Sequence, residues 1–266
     1  MKKRLLFITF IVALCTVNAQ ERPSYMYKNC DGITADVQGF LYCWKDATLE
    51  KYEVVNHQPN TPTLLYHYSN PSLGAITQVD ASIPTKPLVF YQEAGAIVML
   101  DNKLTAINTL DLFNKGFNSI SLVAAVGPSR IALYDESNLE LHLVDYELNT
   151  IRTTKCNFEE GFNPQIILTN LDKSIMLIDS ALGVFIFDQF GSFEKRIRLV
   201  GIESGDLIND KLIYLKNNKV YLYNFATQEN DYWTEGTNAK CIKKGGSYYY
   251  QLLNTGETQT SLVVAG

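Results

Sequence analysis

Short apolar runs broken by polar turns repeat along most of the chain. The plainest case is residues 174–200. An apolar run at 174–178 is followed by a polar or flexible break at 179–183, and a second apolar run fills 184–187. Asp188, Gln189, Phe190 and Gly191 then read as a tight turn. Asp accepts hydrogen bonds from its own downstream backbone, and Gly tolerates positive φ. Over 193–199 the pattern alternates. Phe193, Ile197 and Leu199 share one side with Lys195, while Glu194, Arg196 and Arg198 take the other. Side chains of a strand point alternately to its two faces, so this predicts a half-buried outer strand. The whole stretch predicts a three-stranded antiparallel meander whose middle strand is apolar on both faces.

The same order of run, break, run and turn recurs at 88–112, 130–152 and 210–228, and in shorter form at 39–52. The residues that close each second strand are Tyr52, Asp101, Asp145, Asp188 and Asn224, spaced by 49, 44, 43 and 36 residues. A period of about 40 to 50 residues with four strands per unit is the mark of propeller blades. A lone four-stranded sheet cannot cover both of its faces. Stacking such sheets around an axis covers them, and closing the ring leaves only short edges. The expected fold is therefore all-β, a β-propeller of about six four-stranded blades. A β-sandwich is the competing reading, but it gives no reason for turn chemistry and strand order to repeat together.

Apolar runs at 73–79, 120–126 and 165–168 precede three of the units and are expected to be innermost strands. Ala124 and Ala125 suit the crowded centre of a ring. The end of the chain, with tyrosines at 248–250, a turn at 254–256 and a last run at 261–265, reads as an incomplete unit. Either that last run or residues 25–27 is expected to supply the strand that closes the ring.

The N-terminus changes the picture of where this fold works. Lys2, Lys3 and Arg4 precede an apolar run at 5–15, and Val17, Asn18 and Ala19 follow. A basic start, an apolar core too short to span a bilayer and a small residue closing the site predict a signal peptide over 1–19, cleaved after Ala19. Bulky Leu14 before Cys15 disfavours a lipoprotein. Residues 20–266 are then expected to form a single propeller domain in the periplasm. Loss of the three N-terminal cations moves the formal net charge from −5 to −8, which argues against nucleic acid as a partner. No later apolar segment is long enough to span a membrane. Cys30, Cys43, Cys156 and Cys241 remain, an even number that permits disulfides in an oxidising compartment. Cys30 and Cys43 are the nearest pair and could staple the first unit; buried free thiols are an equal reading.

Candidate chemistry is sparse. His57, His67 and His142 have no metal-ligand spacing, and no nucleophile elbow, zinc helix, phosphate loop or dinucleotide motif occurs. Asp101, Asp145 and Asp188 recur at equivalent places and read as turn formers rather than cation ligands. No catalytic, cofactor-binding or metal-binding residue is expected. The aromatic residues are more suggestive. Tyr42, Trp44, Trp233, Tyr248, Tyr249 and Tyr250 gather in the first and last units, which adjoin in a closed ring. Such side chains are enriched at binding surfaces and are the candidate binding residues; they also serve to fill blade cores.

The basic-apolar leader, residues 84–104 (PTKPLVFYQEAGAIVMLDNKL) and residues 183–199 (GVFIFDQFGSFEKRIRL) resemble a family of exported propeller-like proteins of the Bacteroidota that carry no assigned activity. In size and export the chain is also similar to the periplasmic plug subunit of the type 9 secretion translocon. The second resemblance implies a seal on an outer-membrane channel, while a rigid ring with broad loops and no catalytic constellation predicts a non-enzymatic periplasmic protein that binds another envelope protein, such as an outer-membrane secretion component. An exported six-bladed hydrolase or lactonase and a sugar- or peptide-binding module are the alternatives.

Overall fold

A computed structural model describes residues 26–27, 30–54, 62–171, 173–235, 238–255 and 258–262. Residues 1–19, expected to be a signal peptide, and His57 lie outside them. The chain enters with β1 (Met26–Tyr27) and then builds five sheets from consecutive strands. Blade 1 is β2 (Gly32–Ala35), β3 (Leu41–Lys45), β4 (Thr48–Glu53) and β5 (Thr63–Ser69). Blade 2 is β6 (Gln78–Asp80), β7 (Leu88–Tyr91), β8 (Ala96–Leu100) and β9 (Ala106–Asp111). Blade 3 is β10 (Ile120–Val126), β11 (Arg130–Asp135), β12 (Glu140–Asp145) and β13 (Thr150–Lys155). Blade 4 is β14 (Ile166–Asn170), β15 (Ser174–Asp179), β16 (Gly183–Asp188) and β17 (Phe193–Ile197). Blade 5 is β18 (Ser204–Ile208), β19 (Lys211–Lys216), β20 (Lys219–Asn224) and β21 (Asn230–Glu235). The last sheet, blade 6, is composite: β22 (Ala239–Gly245), β23 (Tyr248–Leu253) and β24 (Thr258–Leu262), with β1 as its outermost strand.

The first strands of successive sheets touch in the order β2, β6, β10, β14, β18, β22 and back to β2, so the sheets surround an axis and the ring closes. The buried apolar side chains fall into six clusters, one at each seam between neighbouring blades. This explains the two-sided apolar strands. On β15, Ile175 and Leu177 face blade 3 while Met176 and Ile178 face blade 5. Each sheet is packed on both faces, so alternation survives only on outer strands.

The recurring turn acid is a device. Asp101 accepts the backbone N–H groups of Lys103 and Thr105 on Oδ1, both at 2.8 Å. Asp145 does the same for Glu147 and Asn149, and Asp188 for Phe190 and Ser192. The residue three places on takes positive φ: Leu104 (62°), Leu148 (62°) and Gly191 (77°). The Thr105 and Lys103 N–H groups hold the Asp101 carboxyl below its ordinary range, and the Asn149 side-chain amide, followed by the backbone N–H groups, does so for Asp145. The strand after each turn carries a register shift in all five contiguous blades. A bulge there twists the outermost edge and discourages pairing with other chains.

One expectation needs correction, and one open choice is decided. The run at 73–79 is not one inner strand: Pro71–Leu73 forms a 3-10 turn, and the strand is Gln78–Asp80. Pro fixes φ and lacks the N–H a ladder needs, so strand geometry begins only later. The closing strand is Met26–Tyr27, while Thr258–Leu262 is the third strand of the same sheet.

Candidate functional site

The innermost strands run side by side without a shared backbone ladder, and polar side chains join some of them. Gln78 on β6 donates from Nε2 to the Val123 carbonyl (2.7 Å) and accepts the Val123 N–H on Oε1 (3.2 Å). Two residues on, Asp80 accepts the N–H of Ala125 at 2.7 Å. Across the ring, Ser204 on β18 accepts from Ile242 N–H at 3.0 Å, and Asp206 accepts from Lys244 N–H at 2.8 Å. Alternate residues of a strand share a face, so each strand pins its neighbour twice.

These strands enclose an axial channel with two mouths. At the exit end, where the inner strands finish, is a cavity of about 330 Å³ bordered by Asp80, Asp206, Lys243 and Lys244. Burial pushes the Asp206 carboxyl up, and Asp80 adds to this against the pull of Lys243. Burial also lowers the Lys244 ammonium, with Asp206 opposing. At the entry end is a larger cavity of about 550 Å³ bordered by Trp44, Ser121, Lys240, Cys241 and Lys243. Among the described residues no three His, Cys, Asp or Glu side chains converge as a metal site would require.

A second set of locks rims the entry end. The residue at or just before an inner strand accepts an N–H from its own blade's second-to-third strand turn. Asp31 accepts from Asp46, Thr77 from Gln92, Gln165 from Ser180, and Glu203 from Asn217. The separations are 15, 15, 15 and 14 residues. Sequence reasoning missed these positions, although a polar residue at that fixed offset was the signal to look for.

The candidate binding aromatics pack inward. Tyr42 is fully buried and donates from its hydroxyl to Asp36 Oδ2 at 3.0 Å. Tyr250 is fully buried and donates to the Gly39 carbonyl at 2.7 Å, across the ring-closing seam. Tyr248 joins the same seam. Tyr249 lies against Trp233, ring centres 5.0 Å apart, in the seam between blades 5 and 6. Trp44 covers Gly32, where any Cβ would collide with the indole, and its edge borders the entry cavity. Five of the six are thus placed as packing groups, and Trp44 alone borders the channel. They are spread over three successive seams, between blades 5 and 6, 6 and 1, and 1 and 2.

Cys30 and Cys43 are bonded, with Cα atoms 5.7 Å apart. Cys156 is a buried thiol, pushed up to about 12 by burial, and Cys241 is a partly buried one.

Exposed apolar side chains are unevenly placed. Among the described residues nine large ones are exposed. Val37 and Phe190 sit in exit-end turns, and Leu64, Ile107, Ile151, Phe193 and Tyr232 fall in the first three residues of outer strands, beside exit-end turns. Only Phe113 and Val200 lie toward the entry end.

No family model matches the chain, and no curated protein matches it. Solved structures do. The chain is similar to the Pan2 WD40 domain of Neurospora crassa, with a TM-score of 0.63 and 8% identity over 90% of each chain. It has the fold of a β-propeller. It is also similar to PorZ of Porphyromonas gingivalis, described as an essential bacterial surface component of the type-IX secretion system (TM-score 0.55, 9% identity). That match covers 92% of this chain but 38% of PorZ. A third likeness is to virginiamycin B lyase of Staphylococcus aureus (TM-score 0.55, 14% identity, 91% of this chain and 89% of that one). At these identities the likeness is one of fold alone. Among the described residues no helix is long and apolar enough to cross a membrane.

Proposed function

We propose that this chain is an exported, non-enzymatic propeller that docks another protein of the cell envelope, as an accessory or sealing subunit of an outer-membrane secretion machine. The observation that carries the reading is the segregation of exposed apolar side chains to one end of the ring. Scattered apolar residues need no explanation, but seven of nine at one end define a surface. Five of the seven, Val37, Ile107, Ile151, Phe190 and Phe193, stand in or just after turns fixed by Asp-centred hydrogen bonds, and Tyr232 follows a turn held by Asn224, so this part of the surface is preformed. The leader at 1–19 supports export, and the likeness to PorZ supports the secretion setting without naming a partner.

The test is site-specific photo-cross-linking from positions 151, 190 and 232 in intact cells, with positions 113 and 200 as controls. One discrete adduct with an outer-membrane secretion protein from the first set is expected. No adduct, or equal adducts from both sets, refutes the assignment. A second reading, an enzyme of the virginiamycin B lyase kind, draws on that fold likeness and on the facing carboxylates Asp80 and Asp206 in the channel. A stoichiometric divalent ion on the purified protein, lost in Asp206→Asn, would favour it.

A further inference from the structure

The outer strands of the blades are the exposed edges of the ring, and they are not equally protected. Charged side chains, short strands and bulges keep an edge from pairing with another chain. β9, β13, β17 and β21 each carry at least one Asp, Glu, Lys or Arg, and β1 is two residues long. β5 (TLLYHYS) has no such residue and, at seven residues, is the longest of these strands. Its bulge does not close it. Leu65 is the extra residue, between the pairs Tyr52–Leu64 and Lys51–Tyr66, and residues 66–69 keep a regular register with β4. Among the described residues no strand pairs with the outer side of β5.

The ladder to β4 fixes which backbone groups face outward. Asn70 donates its N–H to the Ala47 carbonyl opposite it, at 3.2 Å. Hydrogen-bonded and non-bonded pairs alternate along an antiparallel ladder. Tyr68 and Tyr66 therefore bond to β4, while Ser69 opposite Thr48 and His67 opposite Glu50 are non-bonded pairs. The Ser69 and Thr48 hydroxyl oxygens, 3.0 Å apart, agree with the closer approach of a non-bonded pair. The N–H and C=O groups of His67 and Ser69 thus point away from the blade, as an added strand requires. Both residues are exposed, while Tyr66 and Tyr68 are half-buried against the seam of blades 1 and 2.

This edge is its own complement. With a two-fold axis at His67, an antiparallel second copy sets each His67 opposite the other, each Tyr66 opposite a Tyr68 and each Leu65 opposite a Ser69. Outward backbone groups then meet outward backbone groups, and no Asp, Glu, Lys or Arg faces another. The tyrosines form cross-strand aromatic pairs, which stabilise a sheet. We propose that two copies of this chain pair edge to edge through β5, joining their first blades into one continuous sheet. So short an edge buries less than the roughly 1,200 Å² of a stable interface, so the association depends on concentration. The paired residues are not among those exposed at the exit end, and the dimer stands independently of the docking role assigned there.

Sedimentation velocity of the mature protein, from micromolar to sub-millimolar concentration, is expected to pass from monomer to dimer. His67→Pro removes an N–H that β4 does not use, and should weaken the dimer at least ten-fold with little change in melting temperature. His67→Lys sets two cations opposite each other and should weaken it without altering the backbone. In the wild type, the His67 and Ser69 amides should exchange more slowly in concentrated than in dilute protein. A monomer at every concentration, a dimer that both variants leave intact, or exchange at these amides that ignores concentration would each overturn the pairing. A dimer lost in Ile151→Lys but kept in His67→Lys would move the contact to the apolar end. A photo-cross-linker at position 67 that captures a different protein and never a second copy would overturn the choice of occupant.

Discussion

Blade 4 and the seam between blades 6 and 1 solve the same packing problem with different chemistry. Blade 4 is made from consecutive strands joined by short turns, and its faces are covered by Ile, Leu, Val and Phe. The closing seam joins the two ends of the chain. It contains a disulfide, two glycines in close approach and hydroxyl bonds such as Tyr250 to Gly39, 211 residues apart in sequence. Gly245 shows how tight the approach is: a Cβ there would lie 2.6 Å from that of Ala35. Bringing distant segments together costs more chain entropy than closing a short turn. Apolar burial suffices where neighbours in space are neighbours in sequence. Where they are not, polar ties such as Tyr250 to Gly39 are added, and the disulfide stiffens the blade 1 side of the seam.

The largest expected effect tests the apolar side of this comparison. Phe185 is buried between blades 3 and 4, stacked on Phe158 and edge-on to Phe162. Phe185→Ala should cost about 3–5 kcal/mol in denaturant unfolding. A loss under about 1 kcal/mol would mean that this seam is not tightly packed.

A comparable loss is expected at a site that is almost wholly polar. Asp36 accepts the N–H groups of Gln38 and Phe40 and the Tyr42 hydroxyl, all at 3.0 Å. Lys51 Nζ lies 3.7 Å from its Oδ2, and both side chains are almost fully buried. The ammonium also sits over the rings of Phe40 and Tyr42 and donates to the Asn102 carbonyl of blade 2. Burial lowers the Lys51 pKa, and Asp36 opposes that shift. Asp36→Ala would leave a buried cation and three donors without a partner, at a cost of about 3–5 kcal/mol. Asp36→Ala with Lys51→Met should recover part of that loss; if it recovers none, the orphaned charge is not the cause.

Smaller effects separate the ties of the closing seam. Removing the disulfide, which spans 13 residues, should cost about 3 kcal/mol through the unfolded chain. Tyr250→Phe leaves the ring in place and orphans the Gly39 carbonyl, for about 1–2 kcal/mol. Both variants should speed hydrogen exchange in β22 to β24 before blade 4. Uniform acceleration around the ring would show that closure is no weaker than any other seam.

What could be read in the sequence follows the same division. The meander of residues 174–200, the turn acids and the apolar runs are local signals, and apart from the run at 73–79 the strands fall where they indicate. The Cys30–Cys43 pairing was one of two open readings. The placement of Tyr250 was out of reach, because its hydroxyl finds its acceptor, 211 residues away in sequence, only once the ring has closed. Asp36 with Lys51 was missed for a similar reason: nothing local marks two charges as destined for the interior. The channel was also illegible. Its wall residues look like ordinary loop and strand polars until six separate strands line them up.

The smallest expected effect lies in blade 3 and concerns pH. His142 is buried, with Nδ1 3.0 Å from Thr153 Oγ1, Nε2 3.3 Å from Glu140 and its ring against Phe117. Burial lowers its pKa from the ordinary 6.5, outweighing Glu140 and Asp135. Below about pH 6.5 the unfolded chain therefore binds more protons at this residue than the folded one, and stability falls as pH drops through that value toward the lowered one. Asp206 acts in the opposite sense. Its raised carboxyl makes the folded chain the tighter proton binder, so stability falls as pH rises from 3.8 toward the raised value. The two effects partly cancel in the wild type and separate in variants. His142→Gln should flatten the loss of melting temperature between about pH 7 and pH 5. Asp206→Asn should leave that limb intact and raise stability above the carboxyl's window relative to wild type. If His142→Gln keeps the acid limb unchanged, the imidazole is not buried against its charge, and blade 3 is looser at this point than the ladder of β12 and β13 implies.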